Sequence, residues 1–376
     1  MFDEYLTFDD VLLLPNYSDF SRSDIDLTTK ITNTLSLKIP FIAAPMDTVC
    51  DSKLAIALGK LGGIGIIHRN LTVSDEAEEV KKVKAERLIV GAAIGVSKGY
   101  EERIKALVKT GLDIVVVDSA HGHTKNVITV IRHIKTHFPK LTIIGGSVAT
   151  YEGANMLIKE GVDALRVGMG PGSICTTRII SGMGVPQLTA IIETVRAAKK
   201  SNIPVIADGG IKYSGDIVKA LAAGASAVMM GSIFAAALEA PGDIITLKTH
   251  QVPARFKHIL KPHSNEYKFK QYRGMGSMGA MKTGAEMKVE DEFHGKDYYK
   301  EKVLVAEGVE GLVPAKGPIA NIVNQLIGGI KSGMFYIGVK NINELQKNGR
   351  FVKITQASLV ESYPHDIFIT EAGENY

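Results

Sequence analysis

Short apolar runs recur along most of this chain, and each is followed by a stretch with the periodicity of an amphipathic helix. Continuous apolar runs joined by helical crossovers are typical of parallel strands that are buried on both faces. Eight such units predict an α/β fold, a closed (β/α)8 TIM barrel, with a doubly wound open sheet as the alternative. The runs are IPFIAAPM (39–46), GIGIIH (63–68), LIVGAAIGV (88–96), DIVVVDSAHG (113–122), LTIIGGSVAT (141–150), ALRVGMGPG (164–172), PVIADGG (204–210) and AVMMGS (227–232).

Composition limits the partners and the compartment. The chain has 45% hydrophobic and 22% charged residues, as ordinary globular domains do. Its net charge of +4, from 44 basic and 40 acidic residues, is too balanced to predict nucleic-acid binding. No apolar run approaches the roughly 20 residues of a membrane helix, so no membrane association is predicted. The acidic start MFDEYLTFDD is unlike a signal peptide, and two cysteines are too few for a disulfide framework, which together predict a cytoplasmic protein.

A long insertion, residues 235–316, follows the eighth predicted strand. We expect residues 1–376 to form a single catalytic domain, with this insertion and a mobile flap within it. The insertion leaves from the end of the barrel where βα loops carry the chemistry. Its basic stretch, residues 248–273, has no role that the sequence decides, whereas the following RGMGSMGAM has the glycines of a backbone that lies close to a ligand.

Cys175 stands in the loop GPGSICTTR, between a glycine-rich turn and two threonines. A structural cysteine usually lies in an apolar run and behaves as a small hydrophobe. Cys50 is predicted to be a plain buried residue, because nothing near it in the sequence would lower its pKa. A cysteine presented on a polar loop is either a metal ligand or a nucleophile.

Glycines follow the last two predicted strands, in ADGGIKYSGD and MMGSIF. In TIM barrels, backbone N–H groups of these two loops often bind phosphate. Gly209, Gly210, Gly231 and Ser232 could let a phosphate approach the backbone, with the Ser173 hydroxyl as a further donor. Tight turns alone would also explain the glycines, but their joint occurrence favours a phosphorylated small molecule held below Cys175.

Several motifs together resemble the inosine-5′-monophosphate (IMP) dehydrogenase and guanosine-5′-monophosphate (GMP) reductase family. They are GPGSICTTR, MDTV (46–49), GGIGIIH (62–68), DSAHGH (118–123), ADGGI (207–211) and YRGMGSMGAM (272–281), and the match runs from LTFDDVLLLP (6–15) to ESYPHD (361–366). The resemblance implies a TIM barrel assembled as a homotetramer. Within the family, the motifs most resemble a dehydrogenase. The resemblance then implies oxidation of IMP to xanthosine monophosphate (XMP) with NAD, through a covalent Cys175 thioimidate, in guanine nucleotide biosynthesis.

Many dehydrogenases of this family carry a regulatory pair of cystathionine-β-synthase-like (CBS) modules after the second strand and helix. In this chain VKKVKAERLIVGAAIG continues directly into the third predicted strand. We therefore expect no CBS regulatory domain.

The resemblance assigns roles to individual residues. It implies catalysis by Cys175, Thr177, Glu307 and Tyr298. It implies nucleotide binding by Ser173, Asp208, Gly210, Gly231, Ser232, Tyr272, Met275 and Gly276. It implies cofactor binding at Asp118, Ser119, Gly168 and Gly170. It also implies a potassium ion held by carbonyls of Gly170, Gly172 and Cys175, and completed by Glu361, Ser362 and Tyr363 of a neighbouring subunit.

Departures from the family pattern keep alternatives open. The dehydrogenases carry an Arg-Tyr pair on the flap, but Asp297 precedes Tyr298 here and no arginine occurs from 274 to 349. Lys296 is the nearest cation, and lysine does not replace arginine neutrally. Ala44 and Ser147 replace a usual serine and asparagine. A GMP reductase, which deaminates GMP with NADPH, needs no activated water and is the alternative; lesser ones are a catalytically impaired nucleotide-binding protein and a non-redox phosphate-binding barrel.

Overall fold

Eight parallel strands close into a barrel in the computed structural model of the chain, which describes residues 3–254, 256, 260, 264–291, 305–367, 369 and 373. Closure is direct, because the last strand pairs with the first, Val228 opposite Phe41. The predicted TIM barrel is therefore confirmed, and the open sheet is wrong. The strands are β1 (Phe41–Ala43), β2 (Ile64–Ile67), β3 (Gly91–Ile94), β4 (Ile114–Asp118), β5 (Thr142–Val148), β6 (Ala164–Val167), β7 (Val205–Asp208) and β8 (Ala227–Met230).

Helices cover the outside of the barrel, and polar side chains mark where several of them begin. Asp51, Thr72, Thr124 and Thr150 each accept a hydrogen bond from a backbone N–H of the first helical turn, which would otherwise lack a partner. The helices are α1 (Ser52–Lys60), α2 (Val73–Ala85), α3 (Tyr100–Lys109), α4 (Lys125–His137), α5 (Tyr151–Lys159), α6 (Gln187–Ala198), α7 (Ser214–Ala222), α8 (Met278–Asp291), α9 (Ile319–Ile337), α10 (Ile342–Asn348) and α11 (Gln356–Glu361).

Alternate residues of each strand point into the barrel. Ile114 and Val116 of β4 belong to the inner cluster, whereas Val115 and Val117 pack outward among the helices. The period of two follows from the pleat of a strand, so both faces of each strand are apolar and the runs look continuous in the sequence. Beyond this inner cluster, the next inward positions lie at the carboxyl ends of the strands.

Two short antiparallel strand pairs lie outside the eight barrel strands. The hairpin of Thr29–Lys30 and Ser36–Leu37 brings Leu37 into the inner cluster. The strand Val11–Leu13 pairs antiparallel with Phe351–Lys353, which joins the two ends of the chain. Residues 86–90 connect α2 to β3, so no CBS domain lies between them.

The insertion after β8 forms a separate antiparallel sheet. Its strands are β9 (Ile244–Lys248), β10 (Glu266–Arg273) and β11 (Glu310–Pro314), in that order. Val252, Tyr267 and Phe269 form a small buried cluster under it. Mobility of this insertion stays a prediction, and Tyr298, Asp297 and Lys296 lie outside the described residues. None of the helices in the described ranges is long and apolar enough to span a bilayer.

Gly65 lies where α1 packs closely on the barrel, and its substitution tests this packing. A Cβ at position 65 would lie 2.4 Å from the Ala55 Cβ and 2.9 Å from the Cys50 sulfur. We expect Gly65→Ala to lower the free energy of unfolding by about 1–3 kcal/mol, as overpacking does. Urea unfolding followed by circular dichroism measures this change.

Gly328 is the matched control, because it is a glycine on α9 where an added Cβ would have no heavy atom within 4 Å. Gly328→Ala should raise the free energy of unfolding by up to about 1 kcal/mol, since alanine is the better helix former. A Gly65→Ala protein as stable as the wild type would contradict the close packing of α1 on β2.

Candidate active site

Three charged side chains occupy the inward positions at the carboxyl ends of β4, β6 and β7. They are Asp118, Arg166 and Asp208, each two residues beyond an inward apolar residue of the same strand. Strand alternation places them in one layer, directly above the apolar filling of the barrel. This is the end of a TIM barrel that carries active sites.

Arg166 lies between the two carboxylates of this layer and pairs with both. Its Nη1 lies 2.9 Å from an Asp118 oxygen and its Nε lies 3.4 Å from an Asp208 oxygen. Nε and Nη2 also donate to the Ser147 hydroxyl, at 3.1 and 2.8 Å. A register shift in β5 between Gly146 and Val148 accompanies this position of Ser147. The sequence interpretation missed Arg166, although a charge inside the run ALRV requires buried partners and was a usable signal.

The two carboxylates differ in their charge environment. Burial alone would raise the pKa of Asp118, but the charges of Arg166 and Arg69 bring it below its ordinary value. Arg69 donates from Nε to Asp118 at 3.0 Å. Burial raises the pKa of Asp208, and the charge of Arg166 offsets only part of this effect. Asp118 is therefore the more firmly ionised of the two.

A line of hydrogen bonds leads from the Cys175 thiol to a carboxylate of the insertion. The thiol donates to the Thr177 hydroxyl at 3.2 Å, and this hydroxyl donates to the Glu307 carboxylate at 2.8 Å. Cys175 is partly exposed, unlike Cys50, which is fully buried as predicted. The presented thiol thus has a path along which a proton can leave.

Backbone pairing between the cysteine loop and the insertion holds this line in place. The Thr176 N–H donates to the Glu307 carbonyl at 2.9 Å, and the Val309 N–H donates to the Ile174 carbonyl at 2.9 Å. The Glu307 N–H in turn donates to the Gly276 carbonyl at 3.1 Å. Cys175 and Gly276, which are far apart in sequence, are therefore brought to the same place by residues 307–309.

A second group of predicted residues converges beside the cysteine loop. The Tyr272 phenol lies beside Ser173, and its oxygen lies 2.7 Å from where a Gly231 Cβ would be. Burial raises the pKa of Tyr272, so the phenol stays protonated and can donate. Gly209 and Gly210 have φ angles of +88° and +78°, which glycine adopts without strain. Ser232 begins the short helical turn Ser232–Ala235 that follows Gly231.

Comparison with known proteins gives the family. The profile of the IMP dehydrogenase / GMP reductase domain matches residues 5–365. The chain belongs to this family. It is similar to the inosine-5′-monophosphate dehydrogenases of Cryptosporidium parvum and Borreliella burgdorferi, at 42% and 41% identity. These alignments cover 99% and 97% of this chain, and 97% and 98% of the relatives. The resemblance drawn from the motifs is confirmed.

A longer relative bears on the missing regulatory modules. The inosine-5′-monophosphate dehydrogenase of Aquifex aeolicus is 38% identical, with 99% of this chain and 98% of the relative covered. That alignment spans 501 positions, more than the 376 residues of this chain, so the relative has residues that this chain lacks. In this chain α2 connects directly to β3, so no domain is inserted at that point of the barrel.

Close packing explains why the two predicted cofactor-site positions Gly168 and Gly170 are glycines. A Cβ at Gly168 would lie 2.1 Å from the Asp208 carbonyl oxygen, and one at Gly170 would lie 2.7 Å from the Arg178 side chain. Ser119 follows Asp118, and its carbonyl accepts from the Ser147 N–H at 3.1 Å. The cofactor roles of these residues in the family site stay predictions.

The three carbonyls predicted to hold a cation differ in their hydrogen bonding. Gly172 accepts from the Cys175 N–H at 3.0 Å, whereas the Gly170 and Cys175 carbonyls accept no hydrogen bond from the described residues. Carbonyl oxygens are ligands that a hard cation such as potassium prefers, and the cation site itself stays a prediction. Glu361 ends α11, and Ser362 and Tyr363 line a cavity with Asp9 and Tyr213 of the same chain. The described residues hold no group of three His, Cys, Asp or Glu side chains arranged for a metal.

Replacement of Arg166 tests the charged layer. Arg166→Gln removes the cation, so we expect the pKa of Asp118 to rise. A carboxyl whose folded pKa is depressed stabilises the fold above its unfolded pKa of about 3.9 and loses this contribution as the pH falls through the folded value. The variant should therefore lose stability near neutral pH, with a smaller deficit in acid.

Carboxyl ¹³C NMR titration of aspartate-labelled protein measures the pKa, and thermal unfolding from pH 3 to 8 measures the stability. Arg132→Gln is the control, because Arg132 pairs with Glu160 on the exposed outer wall. An unchanged pKa of Asp118 in Arg166→Gln would contradict the assigned role of the cation.

Proposed function

We propose that this protein is an IMP dehydrogenase that oxidises IMP to XMP with NAD⁺. The line from Cys175 through Thr177 to Glu307 carries the proposal, because it gives a nucleophile and a base in hydrogen-bond contact with one hydroxyl. Curated relatives at 38–42% identity over nearly the whole chain bear this name. Guanine nucleotide biosynthesis is the setting that this reaction serves.

The nucleotide phosphate would lie against Ser173, Gly210, Gly231, Ser232 and Tyr272. Hydroxyl and backbone N–H donors suit a phosphate, and the absent Cβ of Gly231 leaves room beside the Tyr272 oxygen. Asp208 would accept from the ribose hydroxyls, and the backbone of Met275 and Gly276 would contact the base. Asp118, Ser119, Gly168 and Gly170 would bind the nicotinamide nucleotide.

The first chemical step uses the thiol. Its proton leaves through the Thr177 hydroxyl toward Glu307, and the sulfur forms a bond to purine C2. As the C–S bond forms, the electron pair of the C2=N bond moves to nitrogen, and C2 carries both hydrogen and sulfur. Bound NAD⁺ would supply the hydride acceptor, and loss of the C2 hydrogen as hydride would restore the C=N bond. NADH and a Cys175 thioimidate of the nucleotide result.

The second step hydrolyses the thioimidate. Sulfur bonded to C2 carries no proton, so the Thr177 hydroxyl can turn from Cys175 to a water molecule. Glu307 releases to solvent the proton that it took from Cys175, and then takes a proton from that water through Thr177. The water oxygen bonds to C2, the C2–S bond breaks to release XMP, and the sulfur takes up a proton to restore the thiol. General-base help of this kind is worth about 100- to 10,000-fold. Tyr298, outside the described residues, would support this step.

NAD, potassium and a homotetramer complete the proposal. Ile179, Ile180 and Met183, just after the cysteine loop, are 81%, 51% and 55% exposed, and exposed apolar groups of this kind suit a subunit interface. The same interface would bring Glu361–Tyr363 of a neighbouring copy to Gly170, Gly172 and Cys175, where a potassium ion would fix the loop carbonyls. Free Cys50 and Cys175 suit a reducing cytoplasm.

The proposed reaction is tested by absorbance at 340 nm in rapid mixing. IMP plus NAD⁺ should give a burst of NADH, about one per active site, followed by slower turnover, because hydrolysis lacks the family's flap arginine. Cys175→Ala should show neither phase, yet should bind IMP within about tenfold of the wild type, since phosphate and ribose contacts supply most of the affinity.

Glu307→Gln separates the two steps, because it should slow hydrolysis far more than the burst. Mass spectrometry of quenched wild-type enzyme should find the nucleotide on Cys175. NADPH consumption and ammonia release with GMP, without NADH from IMP, would identify a GMP reductase instead. IMP binding without either reaction would identify an impaired nucleotide-binding protein.

The cation proposal predicts a dependence on the monovalent salt. Potassium should raise the steady-state rate and lithium should not replace it, because the smaller ion cannot span carbonyls placed for potassium. Rates in KCl and LiCl at matched ionic strength measure the effect. Equal rates in both salts would remove the cation from the site.

A further inference from the structure

An ion pair outside the reacting groups joins the barrel to the insertion. Arg273, the last residue of β10, forms an ion pair with Asp47, which follows β1. Nε lies 3.1 Å from each Asp47 oxygen, and Nη2 lies 2.7 Å from Oδ2. The Asp47 side chain is 6% exposed and that of Arg273 is 18% exposed. A guanidinium fork on a shielded carboxylate fixes orientation as well as distance.

Further contacts anchor the start of α8 to the same place. Arg273 Nη2 donates to the Thr283 hydroxyl at 3.3 Å, and the Arg273 N–H donates to the Thr48 hydroxyl at 3.1 Å. Asn70, which follows β2, donates to Asp47 at 2.9 Å and to the Ala280 carbonyl at 3.0 Å. Two barrel loops thereby hold both sides of the segment that contains Met275 and Gly276.

From Arg273 a short path of backbone hydrogen bonds reaches Glu307. The Gly274 N–H donates to the Val309 carbonyl at 3.0 Å, and the Glu307 N–H donates to the Gly276 carbonyl at 3.1 Å. The Glu310 carboxylate accepts from the Ser277 hydroxyl at 3.0 Å and from the Gly279 N–H at 2.7 Å. Residues 307–310 are thus set by the turn that directly follows Arg273.

We propose that Arg273, held by Asp47, is a positioning residue that places the Glu307 carboxylate against the Thr177 hydroxyl. The proposal rests on the function proposed above. Among the described contacts, the Arg273 side chain bonds to Asp47 and Thr283, and its influence on the reaction passes through the backbone of Gly274–Gly276 to Glu307. Displacement of that carboxylate would lengthen the Thr177–Glu307 bond of 2.8 Å and weaken base catalysis.

A double-mutant cycle of Asp47→Asn and Glu307→Gln tests this path. Asparagine keeps the size of Asp47 and one acceptor oxygen, but loses the charge that holds the guanidinium fork. We expect Asp47→Asn alone to slow steady-state turnover by about 10- to 100-fold, the order of effect of a misplacement near 1 Å. The NADH burst should slow less than steady-state turnover, because in the burst only the loss of the thiol proton uses Glu307, whereas hydride transfer does not.

In the Glu307→Gln background, Asp47→Asn should slow turnover by less than about twofold further, since the group that it positions is already gone. Arg273→Lys, which keeps the charge but not the fork, should give an intermediate rate and the same non-additivity. Glu160→Gln is the matched control: it breaks an exposed pair with Arg132 on the outer wall and should change neither phase.

Alkylation of Cys175 by iodoacetamide, followed by mass spectrometry, gives a readout that needs no turnover. The thiol proton leaves toward Glu307, so Asp47→Asn should slow alkylation in the wild-type background and not in Glu307→Gln. Equal factors in both backgrounds, in turnover or in alkylation, would overturn the positioning role.

Two other outcomes are distinguishable from that one. Wild-type protein without NADH formation from IMP would reject the proposed function, and the alkylation cycle would still decide the positioning role. If Asp47→Asn unfolds, as thermal unfolding would show, the cycle with Arg273→Lys decides it, and additive effects there would equally overturn the proposal.

Discussion

Backbone pairing between the cysteine loop and residues 307–309 is the interaction on which the reactive site depends. Ile174 and Thr176 bond to Val309 and Glu307 on either side of Cys175, so the loop is held as a short strand would be. A glycine-rich loop alone has much conformational freedom, and this pairing removes it. Because the partner segment belongs to the insertion, the insertion is part of the catalytic architecture, while the mobility predicted for it stays untested.

The charged layer is the second constraint, and it imposes a cost that the barrel must offset. A buried guanidinium is tolerated only with charged and hydrogen-bonding partners, which Arg166 finds in Asp118, Asp208 and Ser147. The arrangement places one cation between the carboxylate expected to meet the cofactor and the one expected to meet the ribose. Ser147 keeps a hydroxyl toward Arg166 where the resembled family usually has an asparagine amide, so this departure from the pattern preserves an acceptor for the cation.

The distance from Thr177 to Glu307 bears on the choice between the two activities of the family. Hydrolysis of a thioimidate needs a base for water, and a hydroxyl held 2.8 Å from a carboxylate can supply it without a flap arginine. The missing arginine, which favoured a reductase in the sequence, therefore has less weight once this pair is seen. Arg273 and Asp47 extend the same argument, because they place the base from a position that touches no reacting atom.

The sequence by itself determined the barrel, the cysteine loop and the two glycine loops for which phosphate binding is proposed. Each of these is local: eight continuous apolar runs have the length of buried strands, and Cys175, Gly209 and Gly210 stand in short motifs whose residue types limit what they can do. Only the tertiary structure decided which distant residues meet. Residues 175 and 307, or 47 and 273, come together because the barrel closes and the insertion folds back across its mouth, and no local periodicity records such a pairing. Arg166 lies between these cases: its burial followed from the run ALRV, but its partners lie on neighbouring strands that only closure and register bring within reach.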